Sequence, residues 1–241
     1  MIHTLLGIGI AGLVLPFCSK LHRSAITRWW CRILLKCFNI KVITYGALPD
    51  RHTSRTMFIG NHISWADIHA ISSIIPLRFI AKIEIKSWPV FGYLVSKSGT
   101  LFINRTIRKD AARIVHITAE SLQTGYNVCL FPEGTTTDGT HTQPFKSSIV
   151  QAAIHTNATI WPVAIYYPMP DGTPNVQMAY EGETSMVESM SRILNLKKPV
   201  VELHFLAPIA SAGHTRQSIT KAGFDAITAK LASAYCLSNR D

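Results

Sequence analysis

Acidic residues are scarce in this sequence. Asp and Glu number 14 against 24 Lys and Arg, so the formal net charge is +10 over 241 residues. An excess of this size favours an anionic partner, namely nucleic acid, an anionic membrane surface or a phosphorylated substrate. The apolar fraction of 47% is ordinary for a globular protein and excludes both a disordered chain and a polytopic membrane protein. The length suits one domain with a sizeable core.

Paired cysteines are missing as well. The five Cys are odd in number and scattered, and neither a CxxC pair nor a Cys/His metal spacing occurs. This pattern argues against a disulfide framework and predicts free thiols in a reducing compartment.

The sequence also lacks an apolar run of full membrane-spanning length. The run at residues 2–18 is slightly shorter than the ~20 residues that a spanning helix needs. It has no basic residues before it and no small-x-small cleavage site after it, so it fits a secretory signal poorly. We expect a half-inserted or marginally spanning anchor.

Residues 24–41 predict a basic amphipathic helix. Arg28, Arg32 and Lys36 recur every fourth residue and form one basic stripe, which suits an anionic membrane surface. The alternative is a helix packed on the domain with solvated basic residues. We expect residues 1–41 to be the membrane-associated segment and residues 42–241 to be the catalytic domain.

From about residue 50 onward, short apolar runs alternate with longer helical patterns. This alternation predicts one α/β domain with a mixed, mostly parallel sheet flanked by helices. The expected strands cover Met57–Gly60, Arg78–Ala81, Leu101–Ile103, Val128–Phe131, Thr159–Tyr166 and Val200–Leu206. The expected helices cover Ala66–Ile75, Ser87–Ser96, Ile107–Gln123, Phe145–His155, Met186–Leu194 and Ser218–Cys236.

The stretch "NHISWADIHA" places His62 and Asp67 five positions apart. On one straight helix such residues lie about 140° apart around the axis, so His62 can reach Asp67 only from a turn before the helix. Ser64 fits the N-cap, which puts His62 in that turn and Asp67 in the first helical turn. The alternative is that Ser64 and Asp67 form a capping box and have no catalytic role.

In three later stretches, an apolar run is followed or interrupted by a polar or strand-breaking residue. Arg105 in "GTLFINRT" can present its guanidinium to a phosphate or carboxylate. Glu133 and Gly134 in "VCLFPEGTTTDGT" lie in a Pro-started turn where they could bind ligand hydroxyls. Pro162 interrupts the apolar strand "TIWPVAIYY". The alternatives are a surface Arg, a solvated Glu and simple protection of an edge strand.

Together and in this order, the four stretches resemble the glycerolipid acyltransferase family, which includes the lysophosphatidic acid and lysophospholipid acyltransferases. The resemblance covers about residues 56 to 166. The segment "FIAKIEIKSWPVFGYL", with Lys82, is also similar to the family's stretch between its first and second motifs. The matched motif residues are Asn61, His62 and Asp67; Phe102 to Arg105; Phe131 to Thr135; and Pro162 with its apolar neighbours.

The resemblance implies acyl transfer from acyl-CoA or acyl carrier protein to the free hydroxyl of a lysolipid at the cytoplasmic face of the cell membrane. The default acceptor is 1-acylglycerol-3-phosphate, which gives phosphatidic acid in phospholipid biosynthesis. His62 would be the general base and Asp67 its orienting acid, with no metal and no cofactor. The expected acceptor-binding residues are Lys82, Arg105, Glu133, Gly134 and Thr135, and Pro162 is expected in the acyl-donor site.

One residue departs from the family pattern. Where phosphatidic-acid-forming members usually carry Arg after F-P-E-G-T, this chain has Thr136, so one expected cation is missing. Another acceptor, lyso-ornithine lipid or a lysophospholipid, is therefore the alternative. A basic nucleic-acid-binding protein and a metal-dependent hydrolase using His62, Asp67, His69 and Glu133 are less favoured, because no nucleic-acid-binding motif and no HxxxH or HExxH helix occurs.

Overall fold

An eight-stranded sheet forms the centre of the fold. The structure is a computed structural model that describes residues 2–50, 52–107 and 109–238. The strands are β1 (Lys41–Gly46), β2 (Thr56–Gly60), β3 (Arg78–Lys82), β4 (Leu101–Ile103), β5 (Val128–Leu130), β6 (Thr159–Tyr166), β7 (Val200–Phe205) and β8 (Ile209–Ala210).

The strands lie in the order β1-β7-β6-β2-β5-β3-β4, and β8 also pairs with β6. Within the described residues, all neighbouring strands run parallel except the two pairs that β6 forms with β7 and β8. The expected mixed, mostly parallel sheet is therefore confirmed.

Helices cover both faces of the sheet, which explains why the central strands are apolar throughout rather than alternating. In β2, Phe58 packs with Ile71 on one face, while Met57 and Ile59 pack with Leu122 on the other. The helices are α1 (Ile2–Gly9), α2 (Lys20–Cys37), α3 (Trp65–Ser72), α4 (Phe91–Lys97), α5 (Asp110–Gln123), α6 (Gln151–Thr156), α7 (Met186–Leu194) and α8 (Arg216–Ser238).

The N-terminal helices pack on each other and on the domain. A π-helix (Ile10–Val14) and a 3-10 helix (Leu15–Phe17) connect α1 to α2. A Cβ atom at Gly7 would clash with the Trp30 ring, so the two helices approach closely there. No helix in the described part of the chain is long and apolar enough to cross a membrane.

One face of α2 belongs to the domain core. Cys31 and Leu35 are buried on this face, and Cys31 Sγ lies 3.6 Å from Nδ1 of His69 in α3. Arg32, from the basic stripe, donates through Nε to the Ser73 carbonyl at 3.0 Å. This packing is the one that the alternative for this helix describes, but at least Arg32 is bound to protein rather than solvated, and the membrane association of residues 1–41 stays a prediction.

Three elements differ from the sequence prediction for physical reasons. The expected helix Phe145–His155 is observed only as α6 (Gln151–Thr156), because the N–H of Lys146 donates to the Pro132 carbonyl and holds the preceding residues in a loop. The sequence also missed β1 and β8. In the described residues, each of these strands pairs with one other strand only, β1 with β7 and β8 with β6. Their side chains are only half-buried or exposed, so their hydrophobic pattern is weak.

Candidate active site

The residues singled out from the sequence lie after neighbouring parallel strands. His62 follows β2, Glu133 follows β5, Lys82 ends β3 and Arg105 follows β4. These four strands are adjacent in the sheet, in the order β2-β5-β3-β4. Because the carboxyl ends of parallel strands meet at one edge, where open α/β sheets bind their ligands, the topology gathers these separate stretches at a single site.

His62 and Asp67 form a direct pair. Nδ1 of His62 lies 2.8 Å from Oδ2 of Asp67. His62 is in the turn after β2, Ser64 is the N-cap of α3 and Asp67 lies in the first helical turn, as the sequence predicted. If Nδ1 donates to the carboxylate, Nε2 keeps its lone pair and can accept a proton.

The His62 ring also stacks on an aromatic side chain and stays partly exposed. It stacks on the Phe131 ring with centroids 4.0 Å apart and planes 4° from parallel. The side chain keeps 18% exposure, whereas Asp67 has none. The arrangement therefore fixes one nitrogen on a buried acid and leaves the imidazole accessible at the surface.

Asp67 is a buried carboxylate that accepts four hydrogen bonds. Besides His62, the backbone N–H groups of Ile63 and Ser64 donate to Oδ2 at 2.8 and 2.9 Å. The hydroxyl of Tyr167 donates to Oδ1 at 2.6 Å. Burial, together with the neighbouring Asp67 charge, raises the pKa of Tyr167 well above its ordinary value, so this hydroxyl remains a donor. No sequence signal indicated Tyr167, which is distant in the chain.

Asn61 joins the turn to the central strand. Its side-chain amide donates to the Ile165 carbonyl at 2.9 Å, and its carbonyl oxygen accepts from the Ile165 N–H at 2.8 Å. This side chain continues the ladder between β2 and β6 after β2 has ended. The start of the His62 turn is therefore fixed to the sheet.

Glu133 organises the loop through backbone bonds. Its Oε1 accepts from the N–H of His62 and its Oε2 from the N–H of Gln143, both at 2.7 Å. The residue is 3% exposed, so it is not the solvated Glu of the alternative interpretation. Its expected contact with the acceptor stays a prediction; what the contacts show is a carboxylate that fixes the His62 backbone.

Cationic side chains lie beside this loop. Arg105 Nη1 donates to the Gly134 carbonyl, and burial lowers the Arg105 pKa while the Glu84 charge partly opposes this. Lys82 is exposed at the end of β3. Lys146, which the sequence did not identify because it lies outside the matched motifs, also reaches Gly134.

The two threonines of the loop differ. Thr135 is exposed, whereas the hydroxyl of Thr136 donates to the Tyr180 carbonyl and is used within the protein. Thr136 therefore fastens the loop to the segment before α7. The expectation that Thr135 binds the acceptor stays a prediction.

Pro162 lies inside β6, a central strand, rather than at an edge. The Pro162 carbonyl accepts a hydrogen bond from the N–H of Leu206, which lies in the connection between β7 and β8. On this side of β6, the pairing with β7 has ended and the pairing with β8 has not yet begun. The missing proline N–H is therefore tolerated there. Pro162 is buried, and its ring lies near Gly223 of α8; its role toward the acyl donor stays a prediction.

His69 does not join a metal-ligand cluster with the other proposed hydrolase residues. It contacts Cys31 and the Trp65 ring in the packing of α2 on α3. In the described residues, no group of three or more His, Cys, Asp or Glu side chains is arranged to hold a metal ion.

Comparison with known families identifies the class of protein. The family described as Acyltransferase matches residues 39–166, more than half of the chain. The chain belongs to this acyltransferase family. The resemblance inferred from the four stretches is therefore confirmed.

Individual relatives and one solved structure agree with this. The chain is 33% identical over 205 residues to lyso-ornithine lipid O-acyltransferase of Pseudomonas aeruginosa, covering 85% of this chain and 78% of that protein. It is 38% identical over 161 residues to 1-acyl-sn-glycerol-3-phosphate acyltransferase of Neisseria gonorrhoeae, covering 67% and 63%. The 1-acyl-sn-glycerophosphate (LPA) acyltransferase PlsC of Thermotoga maritima has the same fold, with a TM-score of 0.66, 17% identity and coverage of 100% and 96%.

Removing the Tyr167 hydroxyl tests how much its hydrogen bond to the buried Asp67 carboxylate stabilises the fold. We expect Tyr167→Phe to lower the free energy of unfolding of this acyltransferase by about 1–3 kcal/mol, because Oδ1 of Asp67 loses its donor in the core. Tyr45→Phe is the matched control, since Tyr45 is exposed and its hydroxyl donates to Glu202 at 3.2 Å. Denaturant unfolding measures both. Equal losses in the two variants would contradict the account.

The pH dependence of stability tests Glu133. Burial raises its pKa from 4.5 to about 7, opposed by the His62 and Gln143 N–H groups. The native state therefore binds more protons than the unfolded state between these values, so stability must fall as pH rises through this window. Relative to Glu133→Gln, which cannot titrate, the wild type should lose on the order of 2 kcal/mol from pH 4.5 to 8.

Denaturant unfolding at several pH values makes this comparison. Glu181→Gln, which removes an exposed carboxylate, is the control and should keep the pH dependence of the wild type. A wild type and a Glu133→Gln variant with parallel pH profiles would show that the Glu133 carboxyl does not titrate near neutrality.

Proposed function

We propose that this protein transfers a fatty acyl group from a soluble thioester, acyl-CoA or acyl carrier protein, to the free hydroxyl of a lysolipid. The observation that carries the proposal is the His62–Asp67 pair, with 2.8 Å between Nδ1 and Oδ2, at the carboxyl edge of the sheet. Family membership supports acyl transfer, and the two named relatives support a lysolipid as acceptor.

The reaction follows from the orientation of the imidazole. Nε2 of His62 takes the proton of the acceptor hydroxyl while that oxygen attacks the thioester carbonyl. The new C–O bond forms, the C–S bond breaks, and the proton passes from His62 to the departing thiolate. Asp67 stabilises the imidazolium between these steps, as the acid of a Ser-His-Asp triad does, but here the substrate supplies the nucleophile.

The buried thiols support this use of the acceptor hydroxyl. Burial raises the pKa of Cys31 to about 12 and also raises the pKa of Cys129. Neither is a thiolate near neutral pH, and the thiolate is the nucleophilic form of cysteine. The oxyanion of the tetrahedral intermediate would be stabilised by backbone N–H groups or by Lys82.

The proposed acceptor is 1-acylglycerol-3-phosphate, with phosphatidic acid as the product. Arg105 at the end of β4 supplies a guanidinium suited to its phosphate. Lyso-ornithine lipid is the second candidate, because a relative of that name matches 85% of the chain and because Thr136 supplies no charge. Comparing kcat/KM for the two acceptors decides between them.

We also propose that the N-terminal segment holds the enzyme on the cytoplasmic face of the cell membrane. Leu13, Phe17 and Leu21 are 77%, 87% and 77% exposed, which is unusual for large apolar side chains unless a surface covers them. The acceptor lies in the bilayer while the donor is soluble, so the site must work at the interface.

His62→Ala tests the catalytic role. We expect kcat to fall by about 10²–10⁴-fold with the fold retained, because general-base catalysis is lost. Asp67→Asn should also lower kcat strongly, because an amide favours the wrong imidazole tautomer. His116→Ala, at a 73% exposed position in α5, is the control and should be fully active. Full activity of Asp67→Asn would leave Asp67 with only its capping role.

Charged substitutions test the membrane segment. Leu13→Asp combined with Phe17→Asp should weaken sedimentation with anionic vesicles by more than tenfold, since burying each apolar side chain contributes about 1.5–3 kcal/mol. Activity on a short-chain, detergent-dispersed acceptor should be retained. Val187→Asp, at a 78% exposed position in α7, is the control. Unchanged vesicle binding by the double variant would locate the membrane contact elsewhere.

A further inference from the structure

A second cleft lies at the edge of the sheet opposite the candidate active site. Arg78 is the first residue of β3 and Lys82 is the last, so the rise of the strand separates their backbones by about 13 Å. Asn127 immediately precedes β5, and Gly99 lies two residues before β4. Arg78, Asn127 and Gly99 line one wall of this amino-edge cleft. The cleft is therefore separate from the site that contains His62.

The opposite wall of the amino-edge cleft comes from the N-terminal segment. Leu15 lines it, together with Arg23, Ser24 and Thr27 from the first turns of α2. The free volume between the walls is about 120 Å³. A water molecule needs only about 10–15 Å³ of such space, so a group as large as a phosphate has room to enter.

Three cationic side chains line the amino-edge cleft, namely Arg23, Arg78 and Lys97. None of the described lining residues is acidic, and in the part of the chain that the structure describes none of these three cations belongs to an ion pair. Positive charges gathered in a concave site raise the local concentration of anions. The cleft therefore fits an anionic group that accepts several hydrogen bonds, as a phosphate does.

Neighbouring groups hold the two guanidinium groups in place. Cζ of Arg78 lies 3.4 Å from the centroid of the Tyr126 ring, and its Nη1 donates to the Ser121 hydroxyl at 3.1 Å. Arg23 donates through Nε to the Cys18 carbonyl at 3.2 Å. A guanidinium has five N–H donors, so each of the two keeps donors for a ligand. Because both are already held, binding an anion orders little that was free before.

Apolar side chains lie next to these cations in the chain. Leu15 lines the cleft, whereas Leu13, Phe17 and Leu21 are largely exposed. An inorganic phosphate would leave these apolar side chains in water. A phospholipid would place its phosphate on the cations and its acyl chains on the apolar side chains, and basic pockets beside membrane segments are typical sites for lipid head groups.

We propose that the amino-edge cleft binds the phosphate of an anionic phospholipid through Arg23, Arg78 and Lys97. The bound lipid is a component of the bilayer and is not acylated there, because His62 is at the other edge of the sheet. Such a site is independent of the proposed acyl transfer. It fastens the N-terminal segment, the domain and one anionic lipid together at one point.

Vesicle binding by Lys97→Glu tests this site. Lys97 is exposed, so the melting temperature should match that of the wild type. Phosphatidylglycerol in phosphatidylcholine vesicles should strengthen sedimentation of the wild type, and this gain should fall at least about tenfold in Lys97→Glu, the size of a lost charge-assisted bond. Lys97→Arg should keep the gain to within about threefold. Binding to pure phosphatidylcholine vesicles should be equal in all three proteins.

Two further variants separate the cleft from attraction by net charge. Lys198→Glu makes the same change of charge at an exposed position before β7, outside the cleft, and should keep the gain from phosphatidylglycerol. Arg78→Gln removes a charge from the wall formed by the sheet and should lose the gain as Lys97→Glu does. Equal losses in Lys97→Glu and Lys198→Glu, or no loss in Lys97→Glu, would overturn the proposal.

Soluble ligands identify the source of the phosphate. Monomeric dihexanoylphosphatidylglycerol, titrated by ³¹P NMR, should bind the wild type at least about tenfold more tightly than inorganic phosphate, because its acyl chains add apolar contact. Lys97→Glu should weaken binding of the lipid and keep acyl transfer to a detergent-dispersed acceptor. Equal affinity for the lipid and for inorganic phosphate would assign the cleft to free phosphate and overturn the proposal. A wild type that binds the lipid at the cleft but acylates no lysolipid would keep the cleft and reject the proposed function.

Discussion

The carboxylate of Asp67 is the group on which the rest of the site depends. An ionised carboxylate without solvent is strongly unfavourable unless hydrogen bonds surround it. Here the acceptor lies in the first turn of α3, and the donors come from the turn after β2 and, through Tyr167, from the residue just after β6. Satisfying one charge therefore fixes three parts of the fold relative to one another, and the imidazole of His62 is one of the donors.

This arrangement also resolves the two interpretations of the "NHISWADIHA" stretch. Oδ2 of Asp67 accepts from the N-cap N–H of Ser64 and also faces Nδ1 of His62. Capping and pairing are thus compatible, because a carboxylate oxygen has more than one lone pair. The cap fixes the carboxylate at the helix start, and the fixed carboxylate then orients the imidazole.

The loop after β5 completes the site by similar means. Glu133 is a second buried acid, and its two oxygens join the His62 backbone to the Gln143 backbone. The loop thereby carries Gly134 and returns Lys146 to it. Such a loop is preorganised: the buried carboxylate that closes it has both oxygens hydrogen-bonded before any substrate arrives, so binding need not order it.

The sequence by itself determined the elements with strong local signals. The observed bounds of β6 and α7 agree with those predicted, because a long apolar run and a clear helical pattern mark them. The motifs around His62, Asp67, Arg105 and Glu133 were also recognised from sequence, since each lies beside an apolar run and the motifs follow one another in a family-like order. Tertiary structure alone decided that Tyr167 supports Asp67, that residues before α6 form a loop, and that Lys146 reaches Gly134. These outcomes depend on hydrogen bonds and charges between residues far apart in the chain, and local propensity contains no information about them.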